Sequence, residues 1–268
     1  TLPSLVNQTV KPYLWLTFRE EERLNQHTID LANYMRTQPC QFIFTFDGLM
    51  YYDDKYSSKP LTLLKNVLRV IRDVLRHKKP SEVFQIPYLF LNKNKSLRRR
   101  VTNSLDAVKN AMFAGGIERP TWVSITRIDS DDMFDRREIE VVQDVAIGAL
   151  RANSKRKIAL VHKRGFIYNS LTKELARWEP DTNPPFHTII FPADKFFYAD
   201  GYLDWMGGYT SHEDIPSIFE TISLPDDMYC VLIHEQHVST VWDHPFRGEL
   251  VDNQVFLDPF HYGELPTA

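Results

Sequence analysis

The sequence predicts an α/β fold in which a mixed sheet is flanked by helices and extended, toward the C-terminus, by antiparallel strands. Three observations carry that expectation. Tyr13–Phe18 (YLWLTF) and Gln41–Phe46 (QFIFTF) are short, aromatic-rich apolar runs separated by a helical pattern at Leu24, Ile29, Leu31 and Tyr34. That is a strand–helix–strand unit, whose crossover makes the strands parallel and gathers their C-terminal ends on one ligand-facing edge. Helical and extended segments keep alternating as far as Arg136–Leu150, and after about residue 155 the pieces shorten into candidate hairpins.

Taken in order, Leu2–Gln8 has the pattern of a helix end, followed by the first strand, the helix over Glu20–Arg36 and the second strand, which stops at Asp47-Gly48. Tyr51–Pro60 is polar and turn-rich, a loop over the sheet edge. Leu61–His77 is an amphipathic helix with Leu64, Val67, Leu68, Ile71 and Leu75 on one stripe. Phe84–Leu91 is a short extended piece, Ser96–Ala114 a long helix, and Thr121–Ile128 a strand running directly into Asp129-Ser130-Asp131-Asp132. Lys157–His162, a turn at Lys163-Arg164-Gly165, Phe166–Asn169 and Pro185–Phe191 form the hairpin region, and Tyr229–His234 is the last strand expected. Residues 243–268 hold Pro, Gly and scattered aromatics, the composition of a tail wrapping the body. No repeat or linker divides the chain, so a single domain over 1–268 is expected.

Composition narrows the function. The 268 residues are 43% hydrophobic and 25% charged, the balance of a soluble globular protein, and 32 Lys and Arg against 35 Asp and Glu leave a net charge of −3. Without a basic field, a nucleic-acid partner is not expected. The longest uncharged apolar runs, such as Phe42–Phe46, are strand-sized rather than the roughly 20 residues of a spanning helix, so no integral membrane segment is expected. Cys40 and Cys230 stand far apart in no metal-binding spacing and are expected as reduced thiols.

Asp129-Ser130-Asp131-Asp132 is the sharpest local signal. Three carboxylates in four residues at the end of an apolar strand repel one another unless a cation neutralises them. Oxygen ligands of this kind suit Mg²⁺ or Mn²⁺, with coordination positions left open for a diphosphate. An acidic turn capping the following helix satisfies the same pattern. His212-Glu213-Asp214, after Gly207-Gly208, offers a carboxylate to take a proton from a hydroxyl, or equally a helix cap. His234 and His237 follow a strand at i and i+3, which is not the i, i+4 helical spacing of zinc proteases. Either imidazole is able to add a ligand to a carboxylate-held metal. Arg98-Arg99-Arg100 presents guanidinium groups suited to phosphate, or a solvated helix face. Trp205, Tyr209 and Trp242 are candidates for stacking on sugar faces or for the core. The glycine fingerprints of dinucleotide and P-loop sites are absent, as is a GxSxG elbow.

Leu2–Thr9 (LPSLVNQT), YLWLTF, Thr126–Asp132 (TRIDSDD) and Ile233–Trp242 (IHEQHVSTVW), in this order, resemble the nucleotide-sugar-dependent glycosyltransferases of the GT-A fold, in particular a bacterial rhamnosyltransferase family. The resemblance implies a GT-A, Rossmann-like mixed sheet, with a first strand preceding Thr1. It implies that Asp129 and Asp131 form a DxD motif, with Asp131 the direct metal ligand and Asp132 a contact of the donor sugar. Asp47 corresponds to an acidic residue at the nucleobase, and Asn103, with Arg99, lies on a helix near the donor. Gly207-Gly208 corresponds to a glycine loop, Glu213-Asp214 to an acidic motif whose carboxylate, Asp214 or Glu213, is the general base, and His234 to a late histidine of the metal site, with His237 as the alternative ligand.

The implied activity is metal-dependent transfer of a sugar from a nucleotide-diphosphate donor to a hydroxyl acceptor, in glycan or polysaccharide synthesis, with Mn²⁺ or Mg²⁺ as cofactor. The partners are the donor and a carbohydrate or other hydroxyl acceptor. The implied location is cytoplasmic, with peripheral contact to the inner face of a membrane. Two further readings share the same residues: a non-catalytic carbohydrate- or nucleotide-binding module and a metal-dependent phosphoesterase.

Overall fold

The computed structural model describes residues 1–18, 25–46, 68, 93–117, 120–152, 156–181, 185–207, 209, 212–234, 241–252 and 260. The loop expected over Tyr51–Pro60, the helix over Leu61–His77 (Leu68 apart) and the extended piece over Phe84–Leu91 lie outside them. The fold is mixed α/β. Helix α1 (Leu2–Val6) leads to β1 (Tyr13–Thr17), α2 (Gln26–Met35) and β2 (Gln41–Thr45). Then come α3 (Lys93–Ala114), β3 (Trp122–Thr126), the two-residue β4 (Met133–Phe134), α4 (Glu138–Ala152), β5 (Ile158–Val161), β6 (Gly165–Asn169) and β7 (Glu174–Trp178). The chain continues through β8 (His187–Pro192), α5 (Ala193–Phe196), α6 (Ala199–Met206), a 3₁₀ turn at His212–Asp214, α7 (Ile215–Ile218), β9 (Glu220–Ser223), β10 (Tyr229–Ile233) and β11 (Arg247–Val251).

Among the described residues the strands form a parallel pair β1-β2, a four-stranded sheet β3-β8-β5-β9 and a five-stranded sheet β11-β7-β6-β10-β4. The parallel β1-β2 pair, in register from Tyr13↔Gln41 to Thr17↔Thr45, is the one the strand–helix–strand pattern predicts. The expected antiparallel region is also present. Strand β8 runs antiparallel between β3 and β5, and β6-β7 is an antiparallel hairpin. Strands β5 and β9 pair in parallel, as do β6 and β10.

Side-chain alternation in β1 and β2 puts their two faces into different cores. Tyr13, Trp15 and Ile43 pack with the α3 stripe Val101, Leu105, Val108 and Met112 and with Val123, Ile189 and Phe191 of the four-stranded sheet. Leu14, Leu16, Phe42 and Phe44 face the other way, toward Leu5, Val6, Phe134, Ile167 and Val231. Helix α4 covers the remaining face of the four-stranded sheet with Val142 and Ala146 against Ile158, Leu160 and Ile190. Both cysteines are free and buried.

Two expectations for the C-terminal part are corrected. Tyr229–Ile233 is not the last strand, because Arg247–Val251 pairs antiparallel with β7 inside the segment expected to be a tail. Its mostly exposed residues carry no apolar period, as befits a sheet edge. No described helix is long and apolar enough to cross a membrane.

Candidate functional site: an acidic loop and the strand ends around it

Strand β3 runs to Thr126, and Arg127 extends its ladder by donating its N–H to the His187 carbonyl at 2.9 Å. The chain then leaves the sheet and turns back on itself, with the Asp132 N–H directed to the Asp129 carbonyl at 3.3 Å. Within this loop the three carboxylates take different surroundings. Asp129 accepts a charge-assisted hydrogen bond from the Arg127 guanidinium at 2.9 Å. Asp131 meets His234, 103 residues away, with Oδ2 to Nε2 at 3.2 Å. That pair is half-buried, 30% and 35% exposed, and so within reach of a ligand from solvent. Asp132, expected at the donor sugar, turns inward and accepts the N–H of Leu232 in β10 at 3.1 Å. Burial, and then the neighbouring Asp131 and Asp129, push its carboxyl up to about 8.

The second expected cluster lies on the same edge. His212–Asp214 forms a 3₁₀ turn leading into α7, and Asp214 holds the N-cap position without making a side-chain cap hydrogen bond. Asp214 is half-buried and Glu213 exposed. Asp129 and Asp214 both act electrostatically on His212 and on Tyr209, which brings the acidic loop and the 212–214 turn into one neighbourhood.

Between them stand Arg127 and His187, to which the sequence assigned no role, and Tyr209, a stacking-or-core candidate that is buried. Arg127 hydrogen-bonds Tyr209, whose hydroxyl lies 3.3 Å from His187 Nε2. Burial pushes the Tyr209 phenol up to about 12. Burial, reinforced by Arg127, drives His187 down to about 3, so it is a neutral imidazole. Burial also lowers His212. Arg127, His187, Tyr209 and apolar neighbours such as Ile125 and Phe191 line a cavity of about 20 Å³, room for about one water molecule. Arg127 stands two residues before Asp129 in the TRIDSDD segment, and that spacing is the signal from which it was readable.

The other expected residues are placed as follows. Arg99 and Asn103 are exposed, one turn apart on α3, and the neighbouring Arg98 pairs with Asp200 of α6 at 2.5 Å. Gly207 is the left-handed C-cap of α6, at φ 61°, with its N–H on the Leu203 carbonyl, so helix termination accounts for a glycine there. Trp205 is a core residue donating Nε1–H to the Ile190 carbonyl at 3.0 Å. Trp242 is half-buried, with the Arg247 guanidinium 4.9 Å over its ring. Asp47, Gly208 and His237 lie outside the described residues.

Chemically, the loop and β10 supply one carboxylate and one imidazole at mutual contact, a donor set that fits a hard or borderline divalent cation. Among the described residues no group of three or more His, Cys, Asp or Glu side chains is gathered closely enough to hold a metal ion by itself. Comparison with protein-family models, with curated proteins and with solved structures finds no match to this chain.

Proposed function

We propose that this chain is a metal-dependent glycosyltransferase of the GT-A type, moving a sugar from a nucleotide-diphosphate donor to a hydroxyl acceptor in glycan or polysaccharide synthesis. The observation that carries this reading is the approach of Asp131 to His234 at 3.2 Å, in the loop whose Asp129 shares an electrostatic neighbourhood with Asp214. It is supported by the resemblance of the TRIDSDD, SLxxQT and IHEQHVSTVW segments to that family.

In this reading Asp131 and His234 hold Mn²⁺ or Mg²⁺, with Asp129 beside them and His237 as the alternative imidazole. The cation supplies charge neutralisation for the departing diphosphate. Asp214, or Glu213 next to it, takes the proton from the acceptor hydroxyl. The acceptor oxygen forms its bond to the anomeric carbon while the bond from that carbon to the diphosphate oxygen breaks, its electron pair leaving with the nucleotide. Asp47, Arg99, Asn103, Gly207 and Gly208 are the donor-side residues, while Asp132, turned inward onto β10, holds the loop to the sheet. The reaction belongs in the cytoplasm, where nucleotide sugars are made, with peripheral contact to the inner face of a membrane.

The test is thermal stability against uridine, guanosine and thymidine diphosphates, each with Mn²⁺ and with chelator, followed by transfer assays. A ligand at one hundred times its Kd stabilises the native state by about 2.7 kcal/mol. One nucleotide is expected to raise the transition only with Mn²⁺, and Asp131→Asn is expected to lose both this shift and transfer while staying folded. A shift indifferent to chelator and to Asp131→Asn overturns the reading in favour of a non-catalytic module. Phosphate release from a simple phosphoester without any sugar donor overturns it in favour of a phosphoesterase.

A further inference from the structure

The acidic loop is held from behind by polar side chains that no sequence pattern for catalysis explains. Ser4 and Gln8, both only 1% exposed, belong to the SLxxQT segment in and just after α1. The Ser4 hydroxyl accepts the Phe134 N–H at 3.2 Å and donates to the Thr1 carbonyl at 2.8 Å. Gln8 uses its whole amide. Nε2 donates to the Asp135 and Ser4 carbonyls, each at 2.7 Å, and Oε1 accepts the Ile139 N–H at 3.0 Å, in the first turn of α4. Thr9 adds its N–H to the Arg136 carbonyl at 2.8 Å. Thr1 Oγ1 donates to the Ser130 carbonyl at 2.5 Å, inside the loop itself.

These contacts fall on residues 130, 134, 135, 136 and 139, all within the segment that carries Asp131 away from β3 and into α4. Strand β4 is only two residues long, pairing Met133 with Cys230 and Phe134 with Tyr229, so its ladder alone provides little anchorage. Burying a primary amide and a hydroxyl is unfavourable unless they are hydrogen-bonded, and here both N–H groups and the oxygen of the Gln8 amide are hydrogen-bonded. An apolar residue of similar length fills the same space without gripping the loop.

We propose that Ser4 and Gln8 are positioning residues for the acidic loop, setting where Asp131 stands against His234. This rests on the reading of Asp131 and His234 as the cation-holding pair. The SLxxQT segment thereby acquires a physical role: it is a polar clamp acting on the backbone that follows the carboxylates, without itself meeting the cation or the donor. Partners behind metal ligands are worth tenfold to a hundredfold in metal affinity, and that is the scale on which the clamp acts.

The experiment compares the full chain with Gln8→Met, Ser4→Ala and, as a control of similar destabilisation in the other core, Leu105→Ala. Two quantities are read: amide hydrogen exchange along the chain, and affinity for Mn²⁺ alone by electron paramagnetic resonance. In Gln8→Met the amides of residues 130–139 are expected to exchange about tenfold faster or more, with β5 and β8 unchanged, and Mn²⁺ affinity to fall by about tenfold or more. Ser4→Ala, which removes a single acceptor, is expected to show the same local pattern at smaller amplitude and stands in should Gln8→Met not fold. Leu105→Ala is expected to leave Mn²⁺ affinity intact. Exchange in Gln8→Met that is unchanged in the loop, or raised equally everywhere, overturns the clamp, as does loss of Mn²⁺ affinity as large in Leu105→Ala. A wild-type chain without Mn²⁺ affinity whose loop still opens selectively in Gln8→Met overturns the metal reading and leaves the clamp standing.

Discussion

Glu138 and His162 are wholly buried, with Oε1 to Nε2 at 2.9 Å, while Glu138 Oε2 and His162 Nδ1 have no hydrogen-bond partner. Such a pair adds little net stability, yet removing one member strands the other in an apolar surround of Phe134 and Tyr229. His162→Leu is expected to cost about 3–5 kcal/mol, read as a shift of the urea midpoint, and a change under 1 kcal/mol refutes the pairing. His187 permits a pH test of the neighbouring cavity. Its folded-state value of about 3 lies below the ordinary 6.5, so the unfolded chain takes up the proton first as pH falls. The contribution of neutral His187 is complete above pH 6.5 and is lost progressively down to about pH 3. His187→Gln, which cannot titrate but still reaches Tyr209, is expected to flatten the acid limb of stability by roughly 1.4 kcal/mol per pH unit within that window. An acid limb as steep as that of the wild type contradicts a buried neutral imidazole.

Strands and helices differ in what they tolerate at glycine. At Gly165, which opens β6, an added Cβ would stand 2.6 Å from the Tyr229 carbonyl and 2.8 Å from its ring, across the β6–β10 pairing. Backbone in a central ladder has little room to shift, so Gly165→Ala is expected to destabilise by about 1–3 kcal/mol. Gly148, exposed within α4, meets nothing within 4 Å, and Gly148→Ala is expected to stabilise by about 0.5–1 kcal/mol through helix propensity. Thermal midpoints moving in the same direction for both variants would contradict this packing. The same contrast explains which elements were legible in the sequence. β1, β2, β3 and β10 are apolar because at least one face is buried, and their runs stand out. β7 was missed because Arg177 interrupts it, its charge held over the Phe166 ring and paired with Asp227. β9 and β11 are polar sheet-edge strands, and two-residue β4 is too short for any period. At the site, the carboxylates were visible as a cluster, but their division of labour was not. Asp129 on Arg127 is a local pair two residues apart, but Asp131 on His234 and Asp132 on β10 depend on a strand brought from 103 and 100 residues away.

At the scale of the whole molecule, the three sheets formed by the described residues are tied together by shared cores and, among those residues, not by shared ladders. Strands β1 and β2 contribute one face to the core under α3 with the four-stranded sheet, and the other face to the core of the five-stranded sheet. The acidic loop spans the same division, leaving β3 of one sheet and entering β4 of the other. Neither sheet is able to unfold without exposing apolar surface on β1-β2, so both are expected to melt in one cooperative transition. Leu105 is 1% exposed in the first core and Ile167 fully buried in the second. Leu105→Ala and Ile167→Ala are each expected to cost about 2–5 kcal/mol. In each variant the circular dichroism and tryptophan fluorescence transitions should stay coincident and move together. Separate transitions, with Leu105→Ala moving one and Ile167→Ala the other, would show two independently folding units.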